Sequence, residues 1–506
     1  MVKLRNNKIN NQSNIKFDEV LDDKRFLKSP VIILLFISSC TLILSLVQIG
    51  YEPGGGAGWP VKIMLATLFW LVAYFTTSLL AYKTPYLFSS SYIISLAIFH
   101  LGAIYLIAIG YAESAEWVSG ALSSWVELAS WYILLSFSSY GIGMAIGFFT
   151  IKPKKSLNPI NKEFVNRYLY QQGVGLLLAS VIFLAFGIAA YGNIFAYSRQ
   201  ELYGAGVDSR GLRTFMMVFP GAVILMVISA NSYRRKIFAY SLGFLALALF
   251  MFSGYRSAAL FPALIGAVLW VKSGRKIPLP IAGASIFVVL IAISVSGQFR
   301  AMGKYGDLGA EELKKSYEGA SVEKSLAEMG SSVGVLAHAL RLVPDEDPYF
   351  YGNSYVKAVS GMLPNIGLKH DTSGYRGDVL ADITDADALI ELAPSSYMTY
   401  KLKPHQFGKG GGVGFSGIAE PYINFGTYAV VIYFVVLGAL LARLDTLNLF
   451  AHPYLYLFAA TMLWPLLRTV RNDFANFLKP MGFILIILIV WNIGLKILDK
   501  NIKFKN

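Results

Sequence analysis

The feature that most constrains this chain is a train of apolar runs, each about 20 residues long, the length an α-helix needs to cross a hydrocarbon core of roughly 30 Å. They fall at 31–50, 61–82, 88–111, 129–151, 170–191, 214–232, 236–252, 257–272, 278–297, 420–442, 452–468 and 478–498. The stretch 236–272 reads either as two spans or as one re-entrant hairpin. Lipid offers no partners to backbone amides, so runs of this length must be helices. The expectation is an all-α polytopic membrane protein of about twelve transmembrane helices. A hydrophobic fraction of 55%, a charged fraction of only 15% and a mean hydropathy of +0.54 exclude a soluble fold. Cys40 is the single cysteine and lies inside the first run, so no intramolecular disulfide forms. The first 30 residues are polar and Lys-rich, and no small-residue cleavage site follows the first run, which is expected to stay as a helix.

The net charge of +14 would suit a nucleic-acid binder, but its placement argues for topology instead. Cytoplasmic connections of membrane proteins are enriched in Lys and Arg. Here the basic clusters alternate: the N-terminal tail, then Lys152 to Arg167, Arg234 to Lys236, Lys272 to Lys276, Arg443, and the tail after Lys496. The outer connections 51–60 and 112–128 contain neither Lys nor Arg. Both termini are therefore expected in the cytoplasm, and no nucleic-acid partner is implied. The chain divides into a basic tail (1–30), an N-terminal bundle of about nine helices (31–297), a large extracytoplasmic loop (298–412), a C-terminal bundle of about three helices (413–498) and a short tail (499–506).

Arginines on the wrong side of this pattern carry the functional information. Arg199, Arg210 and Arg213 fall in the third outer loop, Arg256 in the turn Ser253-Gly254-Tyr255-Arg256-Ser257, and Arg468 and Arg471 before the last helix. A guanidinium presents a planar fork of donors matched to phosphate oxygens. Arginines gathered at the outer rim thus point to an anionic, phosphate-bearing ligand, although each alone is equally a headgroup or Asp partner. Within the large loop, Leu326, Met329, Val333, Leu336 and Leu340 recur at helical spacing, predicting one amphipathic helix that ends at Pro344.

Gly410 to Gly417 contains a GxGxxG pattern, but no strand precedes it, so it reads as a hinge or as a run of amides able to cradle phosphate. Glu420 precedes Pro421 at the mouth of a span, where it serves either as a helix-dipole partner or as a general base. Asp473, beside Arg471, is either an ion-pair partner or an acceptor for a sugar hydroxyl. Asp385 and Asp387 lack a partner cluster, and the histidines show no ligand spacing, so no metal site is expected. His405 lies closest to the glycine run and reads either as a structural residue or as an acid or base at the outer face.

The run GVGFSGIAEPYINFG from Gly412 to Gly426 resembles the glycine–Glu–Asn–Phe–Gly signature of Wzy-type polymerases of O-antigen and capsule repeat units. The turn around Arg256, the segment Tyr351-Gly352-Asn353-Ser354-Tyr355, and Arg471-Asn472-Asp473-Phe474 agree with it. The resemblance implies a C-type glycosyltransferase-like membrane fold that joins undecaprenyl-pyrophosphate-linked glycans at the outer face of the cytoplasmic membrane, with no cofactor. It further implies a separate chain-length regulator and a flippase as partners. Together with the charge argument, it nominates Glu420, Arg256 and Arg471 as catalytic residues, and Arg210, Arg213, Arg468, Asp473, His405 and Asn424 as substrate-binding residues. A lipid-linked glycan ligase, dependent on an outer histidine among His338, His370 and His405, is the nearest alternative. A polysaccharide flippase is the alternative from another class, and no internal repeat speaks for it.

Overall fold

The computed structural model describes residues 24–51, 58–111, 122–150, 162–191, 210–252, 256–278, 321–362, 392–407, 412–449 and 452–503, with positions 54, 120 and 280 between them. The described residues are helical and include no strand. The elements are α1 (Lys24–Gly50), α2 (Trp59–Tyr82), α3 (Phe88–Ala108), α4 (Ser123–Phe149), α5 (Lys162–Tyr191), α6 (Arg210–Ser229), α7 (Tyr233–Phe252) and α8 (Arg256–Lys272). Loop helices α9 (Val322–Met329), α10 (Ser332–Leu342), α11 (Asn353–Ser360) and α12 (Pro394–Leu402) follow, then α13 (Ala419–Phe425), α14 (Thr427–Thr446), α15 (Pro453–Arg468) and α16 (Ala475–Lys503).

Every predicted apolar run falls on helical residues except 278–297, of which only positions 278 and 280 are described. Among the described residues, seven helices are long and apolar enough to cross a membrane, namely α1 to α5, α14 and α16. Two more apolar segments, Thr214–Ser229 and Ser257–Lys272, are shorter. The chain is therefore a multi-pass membrane protein, with seven such helices among the described residues where about twelve spans are expected. In the 236–272 stretch, α7 and α8 are separate helices.

The structure corrects two continuous helices. The predicted 420–442 span is broken at Gly426, where φ is +74°, into the short α13 and the membrane-length α14. A residue with a Cβ resists that conformation. The predicted amphipathic helix is likewise two, α9 and α10, parted at Gly330 and Ser331. Gly330 presses directly on α3, since a Cβ there would collide with the Ala103 amide, and a Cβ on Gly102 would come 2.7 Å from the Leu326 carbonyl. The apolar face of this helix pair is buried on the bundle, as Met329, Val333, Leu336 and Leu340 are all buried.

Helix α4 is the hub. Gly143 and Gly147 press on Val435 and Ala439 of α14, and Gly438 of α14 on Tyr140 and Met144, so closely that a Cβ on Gly147 would sit 2.5 Å from the Ala439 carbonyl. On its other side Gly141 admits Ser38 of α1 and Trp70 of α2. Lipid tails are as apolar as leucine, so helices associate here through close packing of small residues rather than a hydrophobic gain. A second seam is polar: Gln172 of α5 and Asn492 of α16 exchange amide hydrogen bonds at 3.0 and 3.2 Å.

Candidate active site

Three segments meet at the head of α14, and the carboxylate of Glu420 joins them. Glu420 is only 4% exposed. Its Oε1 accepts from the Ser354 hydroxyl at 3.0 Å, and its Oε2 accepts from the Phe474 backbone amide at 2.7 Å. One side chain thus ties α13 to the loop helix α11 and to the 471–474 turn. Glu420 lies in the first turn of α13, but its oxygens serve other segments of the chain. Burial first and the neighbouring Asp473 charge second push its carboxyl up to about 8, against the opposing pull of the Phe474 amide and Ser354.

Asn424, one helical turn on, completes the junction. Its Nδ2 donates to the Ser354 hydroxyl and to the Glu420 carbonyl, both at 2.8 Å, and its Oδ1 accepts from the Gly352 amide at 2.9 Å. The amides of Phe350 and Tyr351 donate to the carbonyls of Ile423 and Asn424. Ser354 therefore sits between the two α13 side chains, donating to one and accepting from the other. Tyr355, beside it, has its phenol raised far above the usual range by burial and by the Glu420 charge.

The segment before α13 is held against the turn after α15. The Phe415 amide donates to the Arg471 carbonyl and the Gly417 amide to the Val470 carbonyl, each at 3.1 Å. Gly414, at φ +77°, lies against Arg471, where a Cβ would meet the guanidinium Nε at 3.4 Å. The amides of Ile418 and Ala419 turn to the Ser416 hydroxyl. The glycine-rich run thus spends these amides within the protein, as a clamp rather than an open phosphate cradle, while Gly410 and Gly411 lie outside the described residues.

Beneath the clamp, α3 supplies two supports. The Phe99 ring lies under Arg471, its centroid 5.6 Å from Cζ. His100, fully buried, has Nε2 at 2.9 Å from the Ser416 hydroxyl and Nδ1 at 3.1 Å from the Leu96 carbonyl. A carbonyl only accepts, so Nδ1 carries the proton and Nε2 accepts from Ser416.

Of the residues nominated from the sequence, Glu420, Asn424, Arg471 and Asp473 come together here. Arg468 ends α15 three residues before Arg471, half-buried, with its Cζ 6.0 Å from the Trp464 ring. Asp473 is buried and accepts from Ser395 of α12 and from Asn476. His405 stands apart, exposed in the 3₁₀ turn Pro404–Gln406. Arg210 opens α6 with Arg213 in its first turn, and Arg256 opens α8, but their side chains lie outside the described residues. His370, Asp385 and Asp387 lie outside them as well. Sequence reasoning does not single out Ser354, Phe99 or His100. The signal for His100 is an ionisable residue inside an apolar span, which lipid tolerates only where protein surrounds it. Among the described residues no group of His, Cys, Asp and Glu is arranged to hold a metal.

The O-antigen polysaccharide polymerase Wzy family model matches residues 30–501, nearly the whole chain. The chain belongs to that family. No curated protein and no solved structure matches it. Membership in the Wzy family makes this an O-antigen polymerase in general terms, a glycosyltransferase-like enzyme of the membrane. The Wzy match runs through the junction just described, with all three converging segments inside it.

Proposed function

We propose that this Wzy protein joins undecaprenyl-pyrophosphate-linked repeat units at the outer face of the cytoplasmic membrane, with both termini inside, in a C-type glycosyltransferase-like fold. The observation that carries the reading is the buried Glu420 carboxylate at the meeting point of three segments, with Arg471 on one of them. In the reaction an acceptor sugar hydroxyl takes the place that Ser354 holds on Oε1, and Glu420 receives its proton as the hydroxyl oxygen bonds to the donor's anomeric carbon. The bond from that carbon to the pyrophosphate oxygen breaks, and its electron pair leaves with the pyrophosphate. Arg471, Arg468, Arg256, Arg210 and Arg213 meet the developing charge, where preorganised cations contribute most. A carboxyl near neutrality is matched to this task, since a general base works best with a pKa close to the working pH.

Asn424 holds Ser354 and the Gly352 turn in place, so its part is positioning. Asp473 is buried with its oxygens on Ser395 and Asn476, so its part is to order the site and set the charge beside Glu420, and exposed His405 is left to meet the glycan. A chain-length regulator and a flippase supply the wider assembly.

Surface polysaccharide length tests this in a deletion strain complemented with wild type, Glu420→Gln or Arg471→Ala at matched expression. The reading expects single repeat units in the deletion and in both variants, with long chains only in wild type. Long chains in every strain would contradict the enzyme reading, and the absence of any repeat unit at the surface would favour transport.

A further inference from the structure

Below Glu420 the bundle core holds a column of hydroxyls. Tyr433 of α14 faces both Glu420 and Tyr92 of α3. The rings of Tyr92 and Tyr140 stack at 5.8 Å and 9°, and Tyr140 lies 6.4 Å from Tyr74 of α2. The Tyr74 hydroxyl faces Ser78, Ser89 and Ser90. At the foot, Asp445 accepts from the amides of Phe88 and Ser89 at 2.8 and 3.1 Å, and Lys272 donates to the Asp445 carbonyl at 2.7 Å. From Tyr433 to Asp445 is about 18 Å along α14.

The side-chain oxygens of Tyr74, Ser78, Ser89, Ser90 and Tyr92 are fully buried and none makes a hydrogen bond of good geometry among the described residues, although Tyr74 neighbours the three serines, Ser89 neighbours Asp445, and Tyr92 neighbours Tyr433 and Thr469. Neighbouring hydroxyls that do not close good hydrogen bonds with one another leave donors and acceptors for a shared partner, and a buried polar atom in a membrane bundle is costly without one. The lining decides its chemistry. The hydroxyls are neutral, and the one carboxylate is spent on two helix amides beside a lysine, so nothing calls for a cation. Water, which both donates and accepts, satisfies every member.

We propose that this column holds a chain of water molecules and is the route by which Glu420 exchanges protons with the Lys272 end of the bundle. Ser354 and the Phe474 amide cover the opposite side of the carboxylate, so an inward route is the open one. After each bond is formed, the proton on Glu420 leaves through the water chain on its Tyr433 side and passes down the column, which regenerates the base. The relay role rests on Glu420 being the base, whereas the water does not.

Hydroxyl-radical footprinting by radiolysis of the full chain in nanodiscs tests the water. Tyr74 and Tyr92 should oxidise roughly threefold or more faster than Tyr456, which is as deeply buried but donates its hydroxyl to the Leu269 carbonyl. Ser90→Val, which fills the space, should bring Tyr74 down to the Tyr456 rate. Equal rates for all three tyrosines in wild type would overturn the proposal. The relay is tested by turnover of Tyr92→Phe and Tyr74→Phe beside Glu420→Gln, with kcat expected to fall roughly tenfold at unchanged KM in the Phe variants. Unchanged kcat in both Phe variants with an inactive Glu420→Gln would overturn the relay and leave the base reading standing. An active Glu420→Gln would remove the base reading and the relay together, and the footprint would still judge the water.

Discussion

Asp473→Asn is the perturbation that most sharply separates a working base from a structural carboxylate. Burial and, second, the Asp473 charge together raise Glu420 from 4.5 to about 8. That displacement corresponds to about 5 kcal/mol against the ionised form. Removing one like charge at close range is worth about one pH unit or more. The base is active when ionised, so kcat/KM should rise with pH through about 8 in wild type and be lost as pH falls below it. In Asp473→Asn the ionised form is less disfavoured, and the limb should move to about 7. At pH 7 the ionised fraction then grows from about a tenth to about a half, so the rate there rises about fivefold if proton removal limits turnover. The plateau at high pH should be no higher, because a weaker base is also a poorer one. The assay is the initial rate of polymer formation from lipid-linked repeat units across pH 5.5–9.5. A limb that stays near 8 in the variant, or moves upward, would refute the assignment of that limb to Glu420.

Three further outcomes follow from the geometry. Ser354→Ala removes the donor on Glu420 Oε1 and the acceptor for Asn424, and should lower kcat roughly tenfold while Ser354→Thr retains most of it, read from the same rate assay. Gly426→Ala forces a Cβ into φ +74° and to 3.2 Å from the Tyr349 hydroxyl, and should cost about 1–3 kcal/mol, seen as a lower melting temperature in detergent. Gly147→Ala should cost about 1–3 kcal/mol by parting α4 from α14, whereas Gly266→Ala, whose Cβ meets nothing within 4 Å, should leave melting unchanged or raise it.

The fold was legible wherever length and apolarity suffice. Spans such as 61–82 and 88–111 emerge as helices because a run of that length in lipid has no other way to satisfy its backbone. The breaks at Gly426 and Gly330 were not legible, because glycine within an apolar run is compatible with an unbroken helix until its neighbours are known. At the site, Glu420, Arg471 and Asp473 stand out because charged groups at the mouths of spans are costly without a role, whereas Asn424 is marked only by the resemblance to the family signature. The partners that define their geometry did not. Ser354 reaches Glu420 across 66 residues and His100 reaches Ser416 across 316, and no local pattern encodes contacts of that range. The tyrosine column was hidden for a related reason, since tyrosines scattered over α2, α3, α4 and α14 read individually as interface anchors.

The measurement that bears most directly on the central claim is single-turnover synthesis by purified protein, using lipid-linked repeat units as both donor and acceptor, with Glu420→Gln set beside wild type. The variant keeps the shape of the side chain and an acceptor oxygen while removing the proton-accepting carboxylate. The account predicts that Glu420→Gln binds the lipid-linked donor with unchanged affinity and melts within a few degrees of wild type, yet forms linked units at least 100-fold more slowly, roughly the weight of a general base. Linked product at the wild-type rate from a stably folded Glu420→Gln would contradict it, and would leave Glu420 as the tie between three segments and nothing more.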